Sequence, residues 1–137
     1  MKDIMMQMYE SFIQDPLLYQ YIDKQSVKFY EYPNANTINR AVIVIDELYS
    51  PTPSAYGDDN VIAYDVSYQV DIFFKPNKNE NGRLLSNKLI MHIQDILREN
   101  VQLYEISSSK PEYISDFSLY RQSKQFIGTQ YKNEGDF

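Results

Sequence analysis

The stretch Val61–Phe74, VIAYDVSYQVDIFF, alternates apolar and polar residues along most of its length. Ile62, Tyr64, Val66, Tyr68, Val70, Ile72 and Phe74 fall on one face, and Asp65, Ser67, Gln69 and Asp71 on the other. A period of two marks a β-strand with one face in a core and the other wet or against a partner. Fully extended, the run would reach roughly 45 Å at about 3.3 Å per residue. A compact chain of this length has a radius of gyration of about 14 Å. The strand must therefore bend, or project from the body as a long hairpin with the apolar run Arg40–Leu48.

The charge around this strand is one-sided. Between Arg40 and Lys75 there is no Lys or Arg, while Asp46, Glu47, Asp58, Asp59, Asp65 and Asp71 are acidic. Those six acids equal the net charge of −6 of the 137-residue chain. A basic footprint for gripping nucleic acid is missing, and the central segment should repel it. The length fits one domain, 1–137, with a helical start over 1–24, a sheet-and-helix body over 27–131 and a loose tail over 132–137. With no cysteine, disulfides and thiolate metal sites are excluded. The longest apolar run is Ala41–Ile45, far short of a membrane span, and the first residues do not read as a signal peptide. A soluble cytoplasmic product with no membrane partner is expected.

Working outward, Ile4, Met5, Met8 and Phe12 form one stripe of a helix over about 2–14. Asp15-Pro16 reads as the cap and first position of a second short helix. VKFYEYP is a strand ended by Pro33, and RAVIVIDEL, apolar on both faces, suits a strand inside a sheet. YSPTPSAYGDDN, with Pro51, Pro53 and Gly57, reads as a loop of about a dozen residues, a length often tied to function. After the Val61–Phe74 strand, Leu85, Leu89, Ile93 and Ile96, joined by Leu84 and Leu97, make a third helix that stops near Asn100. VQLYEI and FSLYRQSKQFIGTQY are the last strands, with SSSKPE a turn between them. The order predicts an α+β fold: an antiparallel sheet with helices on one face and a long hairpin and loop. The polar face of Asp65, Ser67, Gln69 and Asp71 would then be left uncovered.

Little in the sequence speaks for catalysis. Asp58 and Asp59, with Asp65 and Asp71, could be sketched as a divalent-metal site, but the spacing matches no EF-hand loop. Gly57-Asp58-Asp59 is more simply a turn. His92 is the only histidine, expected half-buried beside the third helix's apolar stripe, and no P-loop, G-x-G-x-x-G or G-x-S-x-G is present. No enzyme, cofactor or metal is expected. An open sheet face, a long hairpin and a long loop instead describe a part that tiles with copies of itself through heterologous contacts. The interface candidates are Tyr49, Pro51, Pro53, Tyr56, Asp58, Asp59, Asp65, Gln69 and Asp71.

The segments YEYPNANTINRAVIVIDEL (30–48), SPTPSAYGDDNVIAYDVSYQVDIFFK (50–75) and SDFSLYRQSKQFIGTQY (115–131) carry a resemblance over roughly Phe29 to Tyr131. The chain resembles the tail-completion, or tail-terminator and head–tail joining, proteins of long-tailed phages of Gram-positive bacteria. What the resemblance implies is a hexameric ring of identical subunits seated on the tail tube protein. Such a ring stops tube polymerisation and meets the head connector, with DNA passing through its lumen without specific binding. Its place is the head–tail junction of the virion, after assembly in the host cytoplasm. Other readings stay open: a head-completion or baseplate component, a metal-dependent nuclease built on the aspartates, or an adaptor binding a host protein through its tyrosines.

Overall fold

The computed structural model describes residues 2–132; most of the expected loose tail lies outside them. Two α-helices, α1 (Ile4–Gln14) and α2 (Gly82–Ile96), accompany six strands. These are β1 (Val27–Phe29), β2 (Ala41–Gly57), β3 (Asn60–Phe74), β4 (Tyr104–Ser108), β5 (Glu112–Ile114) and β6 (Leu119–Tyr131). The sheet runs β1-β2-β3-β6-β4, with β5 also paired to β6, and every pairing is antiparallel except β1 with β2. The α+β class holds: both helices pack on one face of the sheet.

Each helix follows from its local sequence. Asp3 caps α1 through Met6 N–H, and Ile4, Met8 and Phe12 are its buried stripe. Asn81 caps α2 through Leu84 N–H, and Ser86, Leu89, Ile90, Ile93 and Ile96 face inward. Leu84, expected in that stripe, is 52% exposed. The helix does not stop at Asn100; it loosens into a π-turn over Leu97–Val101 and ends at Gln102 in the left-handed region, φ 56. These residues meet Ile43, Ile45, Val70, Ile72, Phe74 and Phe126 of the sheet in the main core. Leu103 and Gln102 then pass so close to β6 that a Cβ on Gly128 would lie 2.7 Å from Leu103 Cδ2 and 2.9 Å from the Gln102 carbonyl.

Three expectations are corrected. The Asp15 cap forms, its Oδ2 accepting from Leu18 N–H at 3.0 Å, but the segment closes as a single 3-10 turn, Leu18–Gln20. The Asp15 carboxylate also meets His92 Nε2 at 2.7 Å, so the half-buried histidine ties this turn to α2. The first strand ends at Phe29, not Pro33, because Tyr30 turns left-handed at φ 65. The expected loop from Tyr49 to Asn60 is instead the distal part of β2, to Gly57, the turn Asp58-Asp59 and the first residue of β3. Gly57 and Asn60 face each other across a two-residue turn, Asp58-Asp59, with φ 51 and 65, as the tightest hairpins require. The prolines fit because Pro51 lies within a register shift and β2 has no outer neighbour there.

The parallel pairing of β1 explains the second face of the sheet. To start a parallel strand, the chain must travel back from Tyr30 to Arg40. In doing so it lays Ala35 and Ile38 over the sheet against Val44, Phe73 and Leu119. The proximal half of the polar face is therefore covered by the chain's own crossover, not left open.

Arg40 locks the end of that crossover. It reaches Glu80 through two hydrogen bonds, Nη1 to Oε1 at 2.5 Å and Nη2 to Oε2 at 2.9 Å, while stacking over Tyr21 and Phe74. The Arg40 hydrogen bonds, then the Asn77 N–H, hold the Glu80 carboxyl at about 2. A carboxyl depressed in the folded state stabilises it fully above the unfolded value and loses that contribution as pH falls through the folded one. The wild-type thermal midpoint is expected to carry a component lost between the ordinary carboxylate range and about pH 2. In Glu80→Gln that component should vanish from a pH series of thermal unfolding, leaving a flatter acid limb.

Candidate functional site

The second face carries rows of cross-strand neighbours, and these decide where each candidate residue lies. One row runs Val44–Asp71–Ser123. Asp71 is fully buried: its Oδ2 accepts from Arg121 Nε at 2.9 Å and Nη2 at 2.6 Å, and its Oδ1 from Ser123 Oγ at 2.7 Å and Gln69 Nε2 at 3.0 Å. Arg121 in turn lies 5.5 Å from the Tyr32 ring and 5.1 Å from Phe73. The expectation that Asp71 lies on an uncovered face as an interface residue is thus corrected: a carboxylate with no exposed surface and four donors is a structural anchor.

The next row is Asp46–Gln69–Gln125–Ser107, one residue from each of β2, β3, β6 and β4. Tyr32 Oη donates to Asp46 at 3.3 Å, Gln125 donates to Gln69 Oε1 at 3.3 Å, and Ser107 Oγ donates to Gln125 Oε1 at 2.9 Å. Gln69 is half-buried within this ladder. It marks the border between the covered half of the face and the open half.

Beyond the ladder the rows become aromatic. Tyr49, Ser67, Ile127 and Tyr104 form one, and Thr52, Asp65 and Thr129 the next, with Thr129 Oγ1 donating to Asp65 at 2.9 Å. Tyr104 and Tyr131, about half exposed, flank a groove of about 650 Å³ whose floor includes Asp65, Ile127 and Thr129. Among the described residues the β2–β3 arm continues past the end of β6, carrying Tyr56, Asp58, Asp59 and Ile62. Tyr56 is 65% and Ile62 44% exposed.

Of the nine interface candidates, Tyr49 and Asp65 thus lie in the open distal face, Pro51 and Pro53 on the stretch of β2 beside it, and Tyr56, Asp58 and Asp59 on the arm. Gln69 is at the border and Asp71 is in the core. Tyr104, Ile127 and Tyr131 join the open face without having been singled out. The aspartates are not gathered for a metal: Asp71 pairs with Arg121, Asp65 with Thr129, and Asp58-Asp59 make the turn. Among the described residues no group of three His, Cys, Asp or Glu could hold an ion, and no helix is long and apolar enough to cross a membrane. No protein-family model matches this chain, and no curated protein matches it either.

Proposed function

We propose that this chain is a phage tail-completion protein that forms a ring on the end of the tail tube, ends its growth and joins it to the head connector. The observation that carries the reading is the β2–β3 arm, which extends past β6 with Tyr56 and Ile62 exposed while the distal sheet face offers Tyr49, Tyr104, Ile127 and Tyr131. An arm on one side of a subunit and an aromatic face on another make a heterologous pair, the contact type from which rings close. The sequence resemblance over roughly Phe29 to Tyr131 supports the same reading. The absence of Lys and Arg between Arg40 and Lys75 suits a conduit that lets DNA slide past without holding it.

The arm supplies the test. Tyr56→Ser with Ile62→Ser changes only exposed side chains, so the unfolding free energy should move by no more than about 0.5 kcal/mol for each substitution. Expressed in place of the wild-type chain, the double variant should leave tails overlong or unjoined in negative-stain images. Normal, headed tails of wild-type length would count against the arm as the assembly contact.

A further inference from the structure

Among the described residues the outer edge of β2 is unpaired from Asp46 onward, because β1 pairs only with Ile43–Ile45 and its chain then turns away at Tyr30, whose N–H closes the edge on the Ile45 carbonyl. Pro51 and Pro53 interrupt the donors further along, leaving Asp46–Ser50, bulged at Leu48 after the Asp46-Glu47 pair, as a short stretch able to receive another strand. A tyrosine and a carboxylate flank this stretch on each face. On the crossover face Tyr32 bonds Asp46. On the helix face Tyr30 is 55% exposed, with its N–H on the Ile45 carbonyl and its hydroxyl 3.3 Å from Met5 Sδ, and Glu47, in register with Tyr68, belongs to that same face of β2.

The chain itself shows how such groups are used. Arg121 is held by one carboxylate and two rings, Asp71 with Tyr32 and Phe73. Arg40 is held the same way by Glu80 with Tyr21 and Phe74. Around Tyr30 the chemistry repeats with Glu47, Asp46 and Asp3. Burial, and then the Glu47, Asp46 and Asp3 carboxylates, push the Tyr30 hydroxyl above its ordinary value.

We propose that the Asp46–Ser50 edge receives an extended segment of a partner protein bearing two adjacent arginines, one seated on Tyr32 and Asp46 and the other on Tyr30 and Glu47. Adjacent side chains of a strand point to opposite faces, so a neighbouring pair reaches both seats and an alternating pair cannot. Backbone pairing along the edge supplies the register, and the ring-and-carboxylate seats select arginine. A second copy of this chain is a poor occupant. The same edge would set Asp46 and Glu47 against like charges, and the opposite edge, Tyr104–Ile114, carries Glu105 and Glu112 against Lys110 alone. The inference does not rest on the ring reading.

The test uses the whole chain, isotope-labelled, and three capped peptides: Thr-Val-Arg-Arg-Val-Thr, its double-citrulline analogue, and Thr-Arg-Val-Arg-Val-Thr. The first should bind with amide shifts centred on 30–32 and 46–50. The citrulline analogue should bind about tenfold more weakly, and the alternating peptide roughly threefold or more so. Tyr30→Gly, which suits the φ of 65, should keep the fold and weaken the first peptide roughly threefold. Equal binding of citrulline or of the alternating spacing, shifts centred elsewhere, or no binding at millimolar peptide would overturn the proposal.

Discussion

Arg121→Met is expected to destabilise the protein by about 3–5 kcal/mol, because it leaves a buried carboxylate without its counter-charge. Asp71 has no exposed surface, and Arg121 supplies two of its four hydrogen bonds. Ser123 and Gln69 would remain, but neutral donors compensate a buried charge less than a guanidinium does. Typical domains are stable by only about 5–15 kcal/mol, so the loss should be plain in urea. With a slope of about 2 kcal/mol per molar, the midpoint should fall by about 2 M. Asp71→Val combined with Arg121→Met should recover part of the loss, since no charge is then stranded. A fall of under about 1 kcal/mol for Arg121→Met would mean that Asp71 is not a buried anchor.

Phe126→Ala should cost about 3–5 kcal/mol for a different reason. Phe126 is fully buried on the helix face of β6, beside Tyr68 in register on β3 and within the core shared with α1 and α2. Removing its ring leaves a cavity that strands paired on both sides of β6 cannot collapse to fill. Thermal or urea unfolding measures this directly. The contrast with Tyr56→Ser and Ile62→Ser separates the two halves of the molecule: Phe126 should matter to folding, and the arm to assembly.

Much of the frame was legible in the sequence, since local periodicity dictates it. The alternation from Val61 to Phe74 marks β3, and the stripe Ile4–Met8–Phe12 marks α1. The reading of Tyr49–Asn60 as a loop failed because Pro51 and Pro53 are poor strand residues only where a ladder needs their N–H, and among the described residues β2 has an unpaired side there. Asp71 was misplaced because its partner stands fifty residues away, at Arg121. A signal was present: Arg121, Ser123 and Gln125 alternate in β6 as Gln69 and Asp71 do in β3, and two polar faces in register suggest a buried ladder. The parallel return to β2 that covers them depends on a tertiary crossover that no local pattern encodes.

The central claim concerns where this chain sits. For the tail-completion role proposed above, the most direct measurement is a cryo-electron microscopy map of tails assembled with this chain, taken at the head-proximal end of the tube. One ring of this chain is expected on the last tube ring, with the β2–β3 arm of each copy reaching its neighbour or the tube. Density for the chain at the baseplate or within the head shell, or its absence from the junction, would contradict it.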